Sequence, residues 1–150
     1  MNRPKLFIIT TSPVMFYYIL RGQPKFLNNY FDVHLVTAPG PLVADIKAIE
    51  GVEVHTIGFE RNISLLSDFC ALFRLSRLLL RESPDIVHSY SPKAGLLGML
   101  ASKIARVNKR IHTFTGLIFP SRTGLFRILL MLMDRITCLC ATVVIPESLG

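Results

Sequence analysis

Between Asp85 and Asp134 the chain has no acidic residue, whereas Lys93, Lys103, Arg106, Lys109, Arg110, Arg122 and Arg127 all fall there. A stretch so unbalanced, in a chain of formal net charge +7, is drawn to phosphates on nucleic acid, anionic lipid or a nucleotide. Long apolar runs are also missing. Although 51% of residues are hydrophobic, a charge or helix breaker interrupts every run before the ~18 to 20 residues a spanning helix needs. The apolar stretch Leu6 to Thr11 is too short for the middle of a signal peptide and has no small-residue cleavage site after it. It is expected to be a first strand, in a cytoplasmic protein. Cysteine is scarce and odd in number: Cys70, Cys138 and Cys140 lack zinc-ribbon or redox-dithiol spacing and are expected to be buried thiols in a reducing compartment.

Several motifs are absent too. After the first apolar run the chain reads Thr10-Thr11-Ser12-Pro13-Val14-Met15, with neither a Gly-x-Gly-x-x-Gly turn nor a Walker-type phosphate loop. Hydride transfer and nucleoside-triphosphate hydrolysis lose support accordingly. No histidines stand at His-x-x-x-His spacing, so no metal site is expected. Aromatic residues are not interleaved with the basic ones in a stacking pattern, which argues against nucleic acid as partner.

What is present is alternation. Strand-length apolar runs at Lys5 to Thr11, Asp32 to Ala38, Val52 to Ile57, Asp85 to Tyr90, Arg110 to Thr115 and Ala141 to Ile145 are separated by helical stretches. The helices are expected near Phe16 to Asn29, Leu42 to Glu50, Ser64 to Glu82, Lys93 to Arg106 and Gly124 to Leu139. This pattern predicts one compact α/β domain, a Rossmann-like three-layer fold with a mostly parallel sheet of about six strands. In the third helix Leu65, Phe69, Leu72, Ser76 and Leu79 form one stripe, with Leu66, Phe73 and Leu80 beside it. Arg74, Arg77 and Arg81 suit a solvated face or a surface for anionic lipid. Gly124 to Met133 is apolar on nearly all sides, as befits a crossover helix on the sheet or a helix at a membrane boundary.

The segment from Asp85 to Leu100 carries the most information. It is a short interior strand, a polar turn at Ser91-Pro92 and a helix start with Lys93, Ala94 and Gly95. The first amides of such a helix lack internal partners and carry the positive end of its dipole, so with Lys93 they can hold an anion. His34, His55 and His112 fall within strands and are expected to be strand-face residues. His88 differs, standing just before the turn, where a role in a site and a buried imidazole bonded to a carbonyl both fit. Thr115-Gly116 adds a second glycine turn at the same sheet edge, where Gly116 can also serve simply to adopt a positive φ.

Pro84-Asp85-Ile86-Val87-His88-Ser89-Tyr90-Ser91-Pro92-Lys93-Ala94-Gly95, followed by Arg110-Ile111-His112-Thr113-Phe114-Thr115-Gly116, resembles the N-terminal domain of family 4 glycosyltransferases. The resemblance extends over essentially the whole chain. It implies half of a GT-B fold, in which two Rossmann-like domains face each other across a cleft, one chiefly for the acceptor and one for the nucleotide sugar. It implies neither metal nor other cofactor. By this resemblance Ser12, Pro13, His88, Ser91, Lys93, Ala94, Gly95, Thr115 and Gly116 are the expected substrate-binding residues. Lys93 and the helix amides would face a phosphate or sugar hydroxyls, His88 and Thr115-Gly116 would form the floor, and the catalytic residues are not assigned. The expected partners are a nucleotide sugar, a polyprenyl-phosphate-linked or saccharide acceptor, an anionic membrane surface and a separate donor-domain subunit.

The family's frequent histidine before the glycine is Thr115 here. Residues 1 to 150 are thus expected to be the acceptor-side domain of a hexosyltransferase-like enzyme of bacterial surface polysaccharide synthesis, peripheral at the inner face of the membrane. The donor domain is absent from this stretch, and without it the chain is expected to be inactive. A non-catalytic membrane- or protein-binding module is the alternative from another class.

Overall fold

The structure, a computed structural model, describes residues 2–60, 62–115 and 123–146. Six parallel strands form one sheet: β1 (Lys5–Ile9), β2 (Asp32–Thr37), β3 (Glu53–Thr56), β4 (Ile86–Tyr90), β5 (Lys109–Phe114) and β6 (Val143–Pro146), in the order β3-β2-β1-β4-β5-β6. Alternation along β1 divides the core. Leu6 and Ile8 face a layer with Phe16, Leu20 and Ile46, while Phe7 and Ile9 face Leu75, Leu79, Leu97 and Met99 on the other side. Burial on both faces explains why Leu6 to Ile9 of β1 are apolar without interruption.

The helices α2 (Leu42–Glu50), α3 (Leu65–Glu82), α4 (Pro92–Ile104) and α5 (Leu125–Cys140) lie close to their expected positions. The single helix expected near Phe16 to Asn29 is instead two short pieces: a π-helical turn at Met15–Ile19 and α1 (Gln23–Leu27). Gly22, at φ +83°, separates them, and Pro24 starts the second. Buried Glu50 holds this corner, its Oε1 accepting from the Gly22 amide at 2.8 Å and its Oε2 from the Lys25 amide at 2.9 Å. Glu50→Ala leaves both amides without that carboxylate, and is expected to cost about 2 kcal/mol. Thermal unfolding followed by circular dichroism should show Tm lower by roughly 4–8 °C.

One amphipathic expectation needs correction. The buried face of α3 is Ala71, Leu75, Ser76, Leu78 and Leu79, whereas Leu65, Leu66, Phe69, Phe73 and Leu80 are exposed. Packing against the core begins at Ala71, and Leu65, Leu66 and Phe69, in the first two turns, stand outside it. On α5 only Leu130, Thr137 and Cys140 are buried, so this crossover helix contacts the fold along one narrow stripe and exposes Leu125, Ile128, Leu132 and Leu139. Cys70 and Cys138 are exposed, and only Cys140 is a buried thiol, because the first two sit on the outward faces of these helices. Partial burial, and then the Asp134 charge, push the Cys138 thiol up, so it stays protonated.

Candidate functional site

Strand order reverses direction between β1 and β4, and in open α/β sheets ligands bind outside the carboxyl ends of the strands at such a switch point. The residues that leave these two strands meet there. Thr11 Oγ1 and Ser91 Oγ are 3.4 Å apart, and Thr10 Oγ1 donates to the Ser12 carbonyl at 3.0 Å, closing the turn after β1. Pro13 lies against the loop after β2, its Cγ 3.4 Å from where a Cβ on Gly40 would stand. Ser91 has φ +73° and ψ 153°, a left-handed φ that side chains rarely adopt, and Pro92 follows at the first position of α4. Strain of this kind costs about 1–3 kcal/mol and is retained where the surrounding structure requires the turn. Here it turns the chain sharply from β4 into α4, whose first amides have no intrahelical acceptors.

The other expected residues divide. Lys93 is largely buried, with its ammonium 2.6 Å from the Asp68 carboxylate of α3 and donating to the carbonyls of Asn62, at 2.7 Å, and Glu60. It therefore clasps α4 to α3 and to the loop before α3, and its charge is already matched. Ala94 and Gly95 are buried on the inner side of α4, and the Gly95 amide donates to the Ser91 carbonyl at 2.8 Å, so neither residue contributes a side chain to a cleft. Gly95 is required for another reason. A Cβ there would stand 2.3 Å from His112 Cε1. His112 is fully buried, its Nδ1 2.8 Å from Ser89 Oγ, with Phe114 edge-on at 4.5 Å between centroids.

His88 points to the opposite face of the sheet from α4, stacked on Tyr90 at 4.4 Å and with Nε2 2.7 Å from Thr113 Oγ1. Burial, and then the neighbouring His112, push its pKa down to about 4. His112 is likewise pushed down to about 4 by burial, against a smaller opposing pull from Ser89. Both imidazoles are neutral at pH 7. His34 and His55 stack on Phe7 within the sheet layer, with His34 Nδ1 3.1 Å from His55 Nε2. Thr115 follows β5 and is exposed; Gly116 lies outside the described residues.

The basic half-chain is also divided by the fold. Asn108 and Lys109 share a polar recess with Asn2 and Arg3 at the opposite edge of the sheet, and Arg110 donates to the carbonyls of Cys140 and Val107 at 2.6 and 2.7 Å. The switch-point edge retains Lys93 and, in the first turn of α5, exposed Arg127. Sequence reasoning missed Asp68, Thr11 and His112. An acid in the first turn of a helix is legible as a favourable cap, and Asp68 does accept from the Ser64 amide at 3.2 Å, but its cation is 25 residues away.

Residues 6–143 match the family described as Glycosyl transferase 4-like. The chain belongs to that family. Over 134 residues, 87% of this chain, it is 37% identical to the capsular polysaccharide biosynthesis glycosyltransferase CapM of Staphylococcus aureus, of which the match covers 34%. Over 96 residues, 63% of this chain and 24% of the relative, it is 38% identical to the UDP-Gal:alpha-D-GlcNAc-diphosphoundecaprenol alpha-1,3-galactosyltransferase of Escherichia coli. This member of the family therefore spans about a third or less of the length of the curated relatives it matches. The fold is similar to that of Anabaena Alr3699/HepE in complex with UDP and glucose, with a TM-score of 0.70 at 13% identity, covering 95% of this chain and 38% of the other. That likeness fixes the architecture as a Rossmann-like α/β domain of the GT-B type. Among the described residues no helix is long and apolar enough to cross a membrane.

Proposed function

We propose that this chain is the acceptor-side domain of a glycosyltransferase, moving a sugar from a nucleotide sugar to a lipid-linked or saccharide acceptor in bacterial surface polysaccharide synthesis. It acts together with a donor domain and is inactive without one. The observation that carries the reading is the strained Ser91 turn facing Thr11 across the switch point, in a chain of this family. Ser12, Pro13 and Ser91 form the wall of the acceptor site, and the first amides of α4 hold a phosphate or sugar hydroxyls. His88, neutral and bonded to Thr113, stiffens the β4–β5 floor that leads to Thr115. The protein works at the inner face of the membrane, from the cytoplasm.

Exposed apolar side chains favour a second reading, a non-catalytic module for anionic membrane or a protein partner. Leu65, Leu66 and Leu125 are each more than 80% exposed, and Arg74, Arg77 and Arg127 stand on the same two helices. One experiment separates the two. The purified chain is mixed with a separately expressed donor domain, a radiolabelled nucleotide sugar and an undecaprenyl-diphosphate-linked acceptor. The first reading expects labelled product only when both domains are present, and its loss in Ser91→Trp. No product from any lipid-linked acceptor, together with liposome binding that Lys93→Ala leaves unchanged, would favour the module.

A further inference from the structure

A cavity of about 480 Å³ opens between α3, α4 and α5 beside the switch point. Its walls are chiefly Ile63, Leu96, Phe126, Leu129, Leu130 and Met133. The polar groups lie together: Thr11, Ser91 and the Asp68–Lys93 pair, whose side chains are only 20% and 14% exposed. Such a cavity matches a molecule with one apolar body and one charged end. The sign of that end follows from the pair. The Lys93 ammonium donates to the Glu60 and Asn62 carbonyls and stands 2.6 Å from the Asp68 carboxylate, in an ion pair without hydrogen-bond geometry. The two carbonyls belong to the backbone and fix the cation in place. The carboxylate can leave, because its other oxygen already has a partner in the Ser64 amide. Asp68 is also the sole acid among the described lining residues.

We infer that this cavity takes the hydrocarbon chain of a phosphorylated amphiphile, whose phosphate replaces the Asp68 carboxylate on the Lys93 ammonium. The inference rests on the reading that the acceptor is linked to a lipid phosphate, and it names where the lipid goes. A phosphate on the Lys93 ammonium makes a charge-assisted contact in the cavity that Thr11 and Ser91 also line. Inorganic phosphate gains that contact but leaves the apolar walls empty, and a neutral chain fills the walls but cannot displace Asp68. Each half alone therefore binds weakly. Asp68 acts as a selectivity device, holding the site closed to anions that bring no hydrocarbon with them.

The test is a titration of the full 150-residue chain with dodecyl phosphate below its micelle concentration, followed by methyl resonances. Methyls of Leu96, Leu129, Leu130 and Met133 should shift, and those of the outward Leu125, Ile128 and Leu132 should not. Dodecanol should bind at least about tenfold more weakly, and inorganic phosphate should move no cavity methyl. Asp68→Asn keeps an acceptor for the Ser64 amide while freeing the ammonium, and should tighten dodecyl phosphate about fivefold. Lys93→Gln should weaken it about tenfold. Equal binding of dodecanol, weaker binding in Asp68→Asn, or shifts confined to the outward methyls would overturn the inference. Cavity shifts without sugar transfer would refute the proposed function and support this site; transfer without cavity shifts would do the reverse.

Discussion

Gly95→Ala is expected to destabilise the fold by about 3 kcal/mol, although the same change at an exposed helical position adds stability by about 1 kcal/mol. The new methyl would meet His112 Cε1 at 2.3 Å, Nδ1 at 2.7 Å and Nε2 at 2.9 Å, distances no packed Cβ sustains. The imidazole has little room to retreat, because Ser89 holds its Nδ1 and Phe114 stands against the ring. Lifting α4 is no easier, because it would pull Gly98 away from Ile9 and Ser89 of the sheet, on which it packs closely. Thermal unfolding should show Tm lower by roughly 6–12 °C. Gly98→Ala, which asks its neighbours to give only a few tenths of an ångström, is the internal comparison and should cost less than about 1 kcal/mol. His112→Ala opens the space that Gly95→Ala needs, so the double variant should be more stable than the two single losses predict, by at least about 1 kcal/mol. Strict additivity would show that the helix moves instead, and that the contact does not govern this position.

Gly95 also marks the limit of what the chain discloses in one dimension. A glycine just inside a helix, after a strand and a polar turn, suggests close approach to a ligand. The approach exists, but the neighbour is an imidazole 17 residues on, and nothing local specifies it. The inner strands β1 and β2 were legible because burial on both faces demands short, unbroken runs such as Leu6 to Ile9, and each run is bounded by turn residues. The helix after β1 was not, because a single glycine at Gly22 and the Glu50 carboxylate, 28 residues later, decide where it breaks. Apolar periodicity in α3 identified the helix and misassigned part of its face. The pattern counts apolar residues without saying which have a partner, and Leu65, Leu66 and Phe69 have none in the core. At the switch-point edge, the turn at Ser91 between β4 and α4 was readable from position alone. The match of Lys93 to Asp68 is a property of the fold, and it changes Lys93 from a free cation into one that an anion must win from a carboxylate.

The largest effect expected is on pH. His88 and His112 each have a folded pKa of about 4 against an ordinary 6.5. In the unfolded chain both take up a proton as pH falls through 6.5, while in the fold both stay neutral until about 4, so between those values the unfolded state binds more protons. Stability is therefore full above about pH 6.5 and falls as pH drops towards 4, by as much as about 1.4 kcal/mol per unit for each imidazole. Over the whole window each histidine alone would account for roughly 3 kcal/mol, and the two share part of that because the His112 charge itself opposes protonation of His88. Urea midpoints measured at half-unit steps from pH 8 to 4.5 should be level at first and then decline, with these two imidazoles contributing up to about two protons to the slope. His88→Gln replaces one imidazole by a group that cannot titrate and can still reach Thr113 Oγ1. It should lower the slope by up to about one proton while leaving the midpoint at pH 8 little changed, because the neutral hydrogen bond is retained. His112 cannot be treated in the same way: its ring fills the space that Gly95 leaves, and its removal costs stability at every pH. An unaltered slope in His88→Gln would show that the β4–β5 histidines are not the groups that set the acid limit of this fold.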